Sequence, residues 1–226
     1  FLMNALLKTS LKIVQRAHDK FQRRGKHVDE EMRKEFIAKI STAPPITTDQ
    51  QDLIDRCLEF ESLAALGEFQ ELKSTSHRIK YYQKYDQSNV AIGKAVAEID
   101  APAEVVLAWR WNWCSKEKML FHREDNTSVS RFVVKEVSAR EAINETTKRF
   151  PPPFNSRQFV VKCVWSGPDA DGCFLFCWES FDVPGVESNR SIRGDSRGFM
   201  KIKQLEARCR EFTTVQRIDA GGNIPA

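Results

Sequence analysis

Residues 151–182 read PPPFNSRQFVVKCVWSGPDADGCFLFCWESFD, and this stretch decides the fold. Apolar side chains alternate with others in two segments, Arg157 to Ser166 and Gly172 to Asp182, as they do in β-strands. Residues 168–172 have the composition of a hairpin turn. Because apolar side chains occur on both faces of this hairpin, we expect both faces of the sheet to be covered by other parts of the chain.

Further short strands are predicted on either side of the hairpin. The alternating pattern places them at 77–84, 90–99, 128–139, 141–149, 199–207 and 212–219. Helical patterns precede them at 1–40 and from residue 48 to about residue 60, and a helix at 102–113 interrupts them. This order indicates an α+β domain with an antiparallel sheet. We place a domain boundary near residue 70, which makes 1–69 a helical extension and 70–226 the sheet domain.

The second helix has a start signal. Pro44 and Pro45 end the preceding helical pattern, since proline lacks the amide donor. Thr48-Asp49-Gln50-Gln51 then reads as a capping box, in which the Thr48 hydroxyl accepts from the first amides and Gln51 reaches back.

Composition excludes several classes of function. The net charge of +4 is too small to indicate a nucleic-acid partner. The six cysteines form no CxxC pair and fit no zinc spacing, so we expect reduced thiols, a cytoplasmic protein and neither metal nor cofactor. The sequence has no apolar run of the roughly 18–20 residues that span a membrane, and no convincing signal peptide.

The first helix carries a basic face, and its function has two interpretations. Lys8, Lys12, Arg16, Lys20 and Arg23 could hold it on an anionic membrane surface. The same face could instead be the solvated side of a linker or of a coiled-coil arm. A helical partner that binds residues 1–60 is therefore one of the expectations.

The candidate ligand-binding site consists mainly of aromatic residues. Trp109 and Trp113 lie four residues apart on the helix at 102–113 and so share a face. With four aromatic residues of the hairpin they are candidates for the wall of a cavity for an apolar ligand: Trp165, Phe174, Phe176 and Trp178. The alternative is an ordinary core. Arg157 could bind the polar head of such a ligand, or pair with Glu179 or Asp182.

Enzymatic signals are poor. His18, His27, His77 and His122 are dispersed, and no serine lies in a nucleophile-elbow sequence. We therefore expect a protein that is not an enzyme.

Three segments resemble the START domain, the lipid-transfer module related to the steroidogenic acute regulatory protein. A strand followed by the inner helix of that family resembles residues 90–111, VAIGKAVAEIDAPAEVVLAWRW. Its Pro-rich loop and two long strands resemble residues 151–181, PPPFNSRQFVVKCVWSGPDADGCFLFCWESF. Its last strand resembles residues 213–226, TTVQRIDAGGNIPA. The resemblance covers roughly 70–226. It implies a helix-grip fold, in which a curved antiparallel sheet encloses a long helix and one lipid.

Two departures from the family pattern stand out. The Arg-Asp pair of the family is Arg157-Gln158 here, so an ion pair is missing or replaced. The sequence ends at Ala226, before the C-terminal helix that covers the cavity in the family, so we expect either a fragment or a lid from elsewhere.

Two functions follow from the resemblance and the helices. The first is binding of one lipid or other apolar ligand, for transfer or sensing, with transient peripheral contact with membranes. The second is a regulatory or scaffolding module of a larger signalling protein.

Overall fold

The computed structural model describes residues 27–65, 67–74, 77–124, 128–186, 190–204 and 210–222. The basic face predicted at residues 8–23 lies outside these ranges. Four helices are described: α1 (His27–Thr42), α2 (Thr48–Ala65), α3 (Ala103–Trp111) and α4 (Lys116–Glu124). The strands are β1 (Gln70–Leu72), β2 (Ile79–Tyr85), β3 (Ala91–Ile99), β4 (Ser128–Glu136), β5 (Glu141–Lys148), β6 (Arg157–Ser166), β7 (Phe174–Ser180), β8 (Ile192–Arg193), β9 (Asp195–Gln204) and β10 (Arg210–Asp219).

The strands form one sheet in the order β1-β2-β3-β10-β9-β7-β6-β5-β4. All neighbours in this order are antiparallel, and the short β8 pairs with β6 in parallel. The predicted hairpin is present, since β6 pairs with β7 from Val161↔Ser180 to Ser166↔Leu175. The α+β class with an antiparallel sheet is thereby confirmed.

The sheet is strongly curved. Ile79 of β2 and Ala142 of β5 belong to the same buried cluster, although six strand spacings separate their strands in the sheet order. One buried cluster that contains α3 therefore spans this face of the sheet from β2 to β5.

The convex face is covered by α2. Leu53, Cys57 and Phe60 of this helix are buried in one cluster with Val164 of β6 and Cys177 of β7. The expectation that both faces of the β6–β7 hairpin are covered is confirmed, because residues of opposite parity on the two strands face α2 and α3.

The first described helix lies on the concave side. Phe36 of α1 is 3% exposed and belongs to the α3 cluster, and its ring centroid lies 5.5 Å from that of Trp165. Ile40 packs partly buried against the same cluster. The domain boundary near residue 70 stays a prediction, but α1 and α2 both contribute buried side chains to the faces of the sheet.

The capping box is present one residue earlier than the sequence predicted. The Thr47 hydroxyl accepts from the Gln50 amide at 3.3 Å, and the Gln50 side chain accepts from the Thr47 amide at 3.2 Å. Gln50 also donates to Glu141 at 3.0 Å. The prediction with Thr48 and Gln51 is wrong because Gln51 instead bonds Asp55 one turn further on, at 2.8 Å.

The predicted strand at 199–207 begins earlier, at Asp195. Polar residues there had indicated a loop. Arg197 pairs with Glu179 on β7, and Arg193 donates to the Gln158 side chain at 2.9 Å. The residue that departs from the family's Arg-Asp pair is thus hydrogen-bonded to an arginine of β8.

An ion pair joins the β2–β3 turn to β10, and we expect it to make stability depend on pH. Arg217 donates to the Asp86 carboxylate at 2.7 Å. Burial opposes ionisation of Asp86, but this hydrogen bond and those from the Val90 and Ser88 amides outweigh it and lower its pKa. A lowered pKa stabilises the fold above the unfolded value of about 3.9, and this stabilisation is lost as the pH falls through the folded value.

Replacing Asp86 with asparagine should therefore cost about 1–2 kcal/mol at pH 7. Urea unfolding should show the difference from the parent chain shrinking below about pH 4. Asp171→Asn, in the exposed β6–β7 turn, is the control and should change little. A pH-independent cost of Asp86→Asn would contradict the assignment.

Candidate functional site: the concave face

The helix α3 is enclosed on all sides. Eight of its nine residues are buried, from Ala103 to Trp111 with only Glu104 excepted. A short helix that is apolar around its whole circumference belongs in an interior. It ends at Trp111, where the Asn112 amide closes the last turn on the Ala108 carbonyl at 3.0 Å. The predicted helix was two residues too long, so Trp113 lies beyond the helix rather than on the Trp109 face.

Strand alternation places the other candidates opposite α3. Five of the seven predicted site residues are buried in the cluster that contains α3: Trp109, Trp165, Phe174, Phe176 and Trp178. Phe176 lies between two indoles, with centroid distances of 6.4 Å to Trp111 and 6.0 Å to Trp178. Edge and tilted contacts of this kind add to the stabilisation from area burial.

The tryptophan nitrogens of the hairpin are hydrogen-bonded. Trp165 Nε1 donates to the Ala139 carbonyl at 2.9 Å, and Trp178 Nε1 donates to the Ser196 hydroxyl at 3.2 Å. These bonds hold the two indole rings in defined orientations.

Arg157 lies apart from these aromatic residues of the concave face. Its guanidinium donates to the carbonyls of Asn155 and Gly221 and lies over the Phe150 ring at 4.8 Å. The ion pairs considered for it are not formed. Glu179 binds Arg56 and Arg197, and Asp182 binds Arg193. Its role in ligand binding stays a prediction.

A cavity of about 230 Å³ opens at the edge of the concave face. Trp113, the remaining predicted aromatic residue, lines it. Other lining residues come from α1, from the end of α3 and the segment after it, and from β4 and β5, and include Lys39, Trp111, Val133, Ala142 and Asn144. The cavity is smaller than the roughly 300–1,000 Å³ usual for ligand pockets.

Sequence reasoning missed Arg110. It is 7% exposed, and its guanidinium carbon lies 4.5 Å from the Phe176 centroid, 4.9 Å from that of Trp113 and 5.4 Å from that of Trp178. Burial lowers its pKa to about 10, so it still carries its charge at neutral pH. An arginine inside an otherwise apolar helical run was the available signal.

Asn144 was also missed. Its Nδ2 donates to the Cys163 sulfur at 3.4 Å, while its buried Oδ1 has no hydrogen-bond partner. Burial raises the pKa of Cys163 to about 11, so the thiol stays neutral. A buried amide with an unsatisfied atom on a cavity wall can bind a polar ligand group.

Other site types are not found in the described part of the chain. Its cysteines at 57, 114, 163, 173 and 177 carry free thiols. No three His, Cys, Asp or Glu side chains there converge as metal ligands would. None of its helices is both long enough and apolar enough to cross a membrane.

The fold belongs to the helix-grip class, and solved START-domain structures share it. The human StarD13 (DLC2) lipid transfer and protein localization domain matches with a TM-score of 0.57 and 23% identity, over 76% of this chain and 85% of that one. Human StAR-related lipid transfer protein 5 matches with a TM-score of 0.59 and 11% identity, over 77% and 82% of the two chains. Human STARD10 matches with a TM-score of 0.58 and 15% identity, over 81% and 72%.

No protein-family model and no curated protein matches the sequence. The structural matches nevertheless confirm the resemblance seen in the three sequence segments. The chain has the START helix-grip fold, a curved antiparallel sheet around the inner helix α3.

Proposed function

We propose that this protein binds one lipid, or another apolar ligand, between α3 and the concave face of the sheet, for transfer or sensing. The observation that carries the proposal is the aromatic concave face with a cavity open at its edge. The fold supports it, since two of the matching structures are named as lipid-transfer proteins or domains. Burial of an apolar tail against such a face is favourable by about 25 cal/mol per Å².

Ligand entry requires the concave side to open. The present cavity of about 230 Å³ is too small for a whole lipid on the usual scale of pockets. The helix α1 borders it through Lys39 and packs on the concave side through Phe36 and Ile40. Full burial of one such side chain contributes only about 1.5–3 kcal/mol to stability. Because little free energy holds α1 in place, its outward movement is a feasible route of ligand entry.

Contact with a membrane is part of the proposal. Leu120 on α4 and Val129 and Phe132 on β4 are exposed apolar side chains, and α4 packs against β4. Val133 of β4 and Ser115, the residue before α4, line the cavity. A cytoplasmic protein that exchanges its ligand with a membrane would use such an edge. The mechanism needs no covalent chemistry and no catalytic group.

Native mass spectrometry after incubation with mixed-lipid vesicles tests the proposal. We expect one protein-bound lipid per chain, and the tryptophan fluorescence should be quenched by doxyl-labelled lipid. Trp113→Ala removes a cavity-lining ring and should weaken binding about tenfold or more, since truncated aromatic anchors commonly cost at least 1.4 kcal/mol.

Phe181→Ala is the matched control, because Phe181 is an exposed aromatic residue directly after β7. It should bind lipid as the parent chain does. Phe132→Ser should slow uptake from vesicles and leave final occupancy unchanged. Absence of bound lipid, or equal losses in Trp113→Ala and Phe181→Ala, would refute the proposal.

The regulatory or scaffolding function and the helical partner stay predictions. Phe36, Leu53 and Phe60 are already buried within the chain, so these side chains of α1 and α2 are not available to a partner in this arrangement. Light scattering would show concentration-dependent self-association if the alternative held.

A further inference from the structure

Arg110 carries a positive charge on a nearly buried side chain of α3. Within the described residues its guanidinium makes no ion pair and no hydrogen bond, and it lies against the rings of Trp113, Phe176 and Trp178. The two buried glutamates have other partners. Glu141 binds Lys162 at 3.3 Å, and Glu145 accepts from Ser130 at 2.9 Å and from Thr147 at 2.5 Å.

Such an arrangement is costly unless something completes it. Aromatic faces attract a cation but leave the donors of a guanidinium unused. A buried charge without a counter-ion and hydrogen bonds destabilises a protein, which is why buried charges are normally paired. An anion with acceptor oxygens would use these donors, and the planar fork of arginine fits phosphate or carboxylate.

The position of Arg110 indicates where this anion would come from. The residue that follows it in α3, Trp111, lines the cavity, and so does Trp113, the ring stacked on its guanidinium. Asn144 lines the same cavity and donates to the Cys163 sulfur at 3.4 Å. Arg110 thus contacts one residue of the cavity wall, Trp113, and another wall residue, Asn144, has a buried oxygen without a hydrogen-bond partner.

We propose that Arg110 binds the anionic phosphate or carboxylate group of the ligand, while the aromatic concave face covers its apolar part. Rotation of the Asn144 amide would present its amino group to the same anion. This inference rests on the proposed function and deepens it, because it selects anionic lipids over neutral ones with the same acyl chains.

The experiment compares uptake of pyrene-labelled phosphatidic acid and pyrene-labelled diacylglycerol from phosphatidylcholine vesicles by the full chain. The two lipids share their tails and differ in the phosphate. We expect the parent chain to prefer phosphatidic acid by about ten- to hundredfold, the usual strength of a charge-assisted hydrogen-bonded pair. Arg110→Met should abolish the preference while diacylglycerol uptake persists, and Arg110→Lys should keep part of it.

Two controls separate binding from folding. Arg140→Met changes another arginine stacked on a tryptophan, whose guanidinium bonds the Pro44 carbonyl at 2.8 Å, and should keep the preference. The melting temperature of Arg110→Met without lipid should not fall below that of the parent chain, because the variant removes an unpaired buried charge.

The outcomes distinguish this inference from the proposed function. Equal uptake of both lipids by the parent chain, or an unchanged preference in Arg110→Met, overturns the role of Arg110 and leaves lipid binding intact. If neither lipid is taken up, the proposed lipid-binding function is refuted. The role of Arg110 is then tested by the change in melting temperature that inorganic phosphate or oleate causes. A rise in melting temperature that the parent chain shows and Arg110→Met loses supports an anion site at Arg110. The anion that causes the rise shows whether phosphate or carboxylate is sufficient. If neither anion changes the melting temperature, the inference is overturned.

Discussion

Replacing Trp165 with alanine is expected to lower the free energy of unfolding by about 3–5 kcal/mol, the usual cost of removing a buried aromatic side chain. Trp165 is fully buried and joins three parts of the chain. It pairs with Phe176 across the β6–β7 ladder, contacts Phe36 of α1 and donates to the Ala139 carbonyl. Urea unfolding followed by far-UV circular dichroism measures the loss.

Trp165→Phe separates the contributions to this loss. It keeps most of the apolar contact and leaves the Ala139 carbonyl without its donor, so it should cost about 1–2 kcal/mol. Phe132→Ala, at an exposed position of β4, should stay within about 0.5 kcal/mol of the parent chain. A Trp165→Ala variant as stable as Phe132→Ala would mean that the concave core is not assembled as described.

Replacing Gly198 with alanine should destabilise the fold by about 3 kcal/mol, at the upper end of the usual cost of overpacking. A methyl group there would lie 2.5 Å from the Val215 carbonyl oxygen and still closer to the Trp178 ring. The carbonyl belongs to the β9–β10 ladder and cannot retreat without loss of strand pairing. The indole is fixed by its bond to Ser196.

Gly194→Ala is the matched control in the same segment. The three atoms nearest to its added methyl group all belong to the Phe159 ring. Because this ring can move, thermal denaturation should show a smaller loss than for Gly198→Ala. If the two variants were equally stable, the close approach of Trp178 to β9 would not limit the fold. A glycine inside a strand often marks such an approach, but the sequence does not say which ring approaches.

Strand alternation made the hairpin the most predictable part of the site. Side chains of a strand point alternately to two faces, so the sequence alone predicts that Phe174, Phe176 and Trp178 lie on the same face. Their burial opposite α3 agrees with it. The helix was less predictable. Spacing by four selects one face, whereas α3 is buried around its whole circumference, so Trp111 and Arg110 were missed.

Segments that depend on distant partners were misjudged. Asp195 to Arg197 has a polar sequence and becomes strand because β10 and β7 pair with it. The capping box was placed one residue late because Thr47 and Thr48 are both suitable caps. Gln50 rather than Gln51 fills the reciprocal position, and it also bonds Glu141, a strand residue far along the chain.

By itself, the sequence determined the α+β class, the hairpin and the aromatic character of the concave face, because the period of side chains along a strand is local. Only the tertiary structure decided that α1 covers the concave side through Phe36 and that Arg110 lies among rings without a counter-ion. Charge compensation and helix docking depend on which groups meet in space. Residues far apart in the chain, such as Phe36 and Trp165 or Arg110 and Phe176, meet only when the sheet bends around α3.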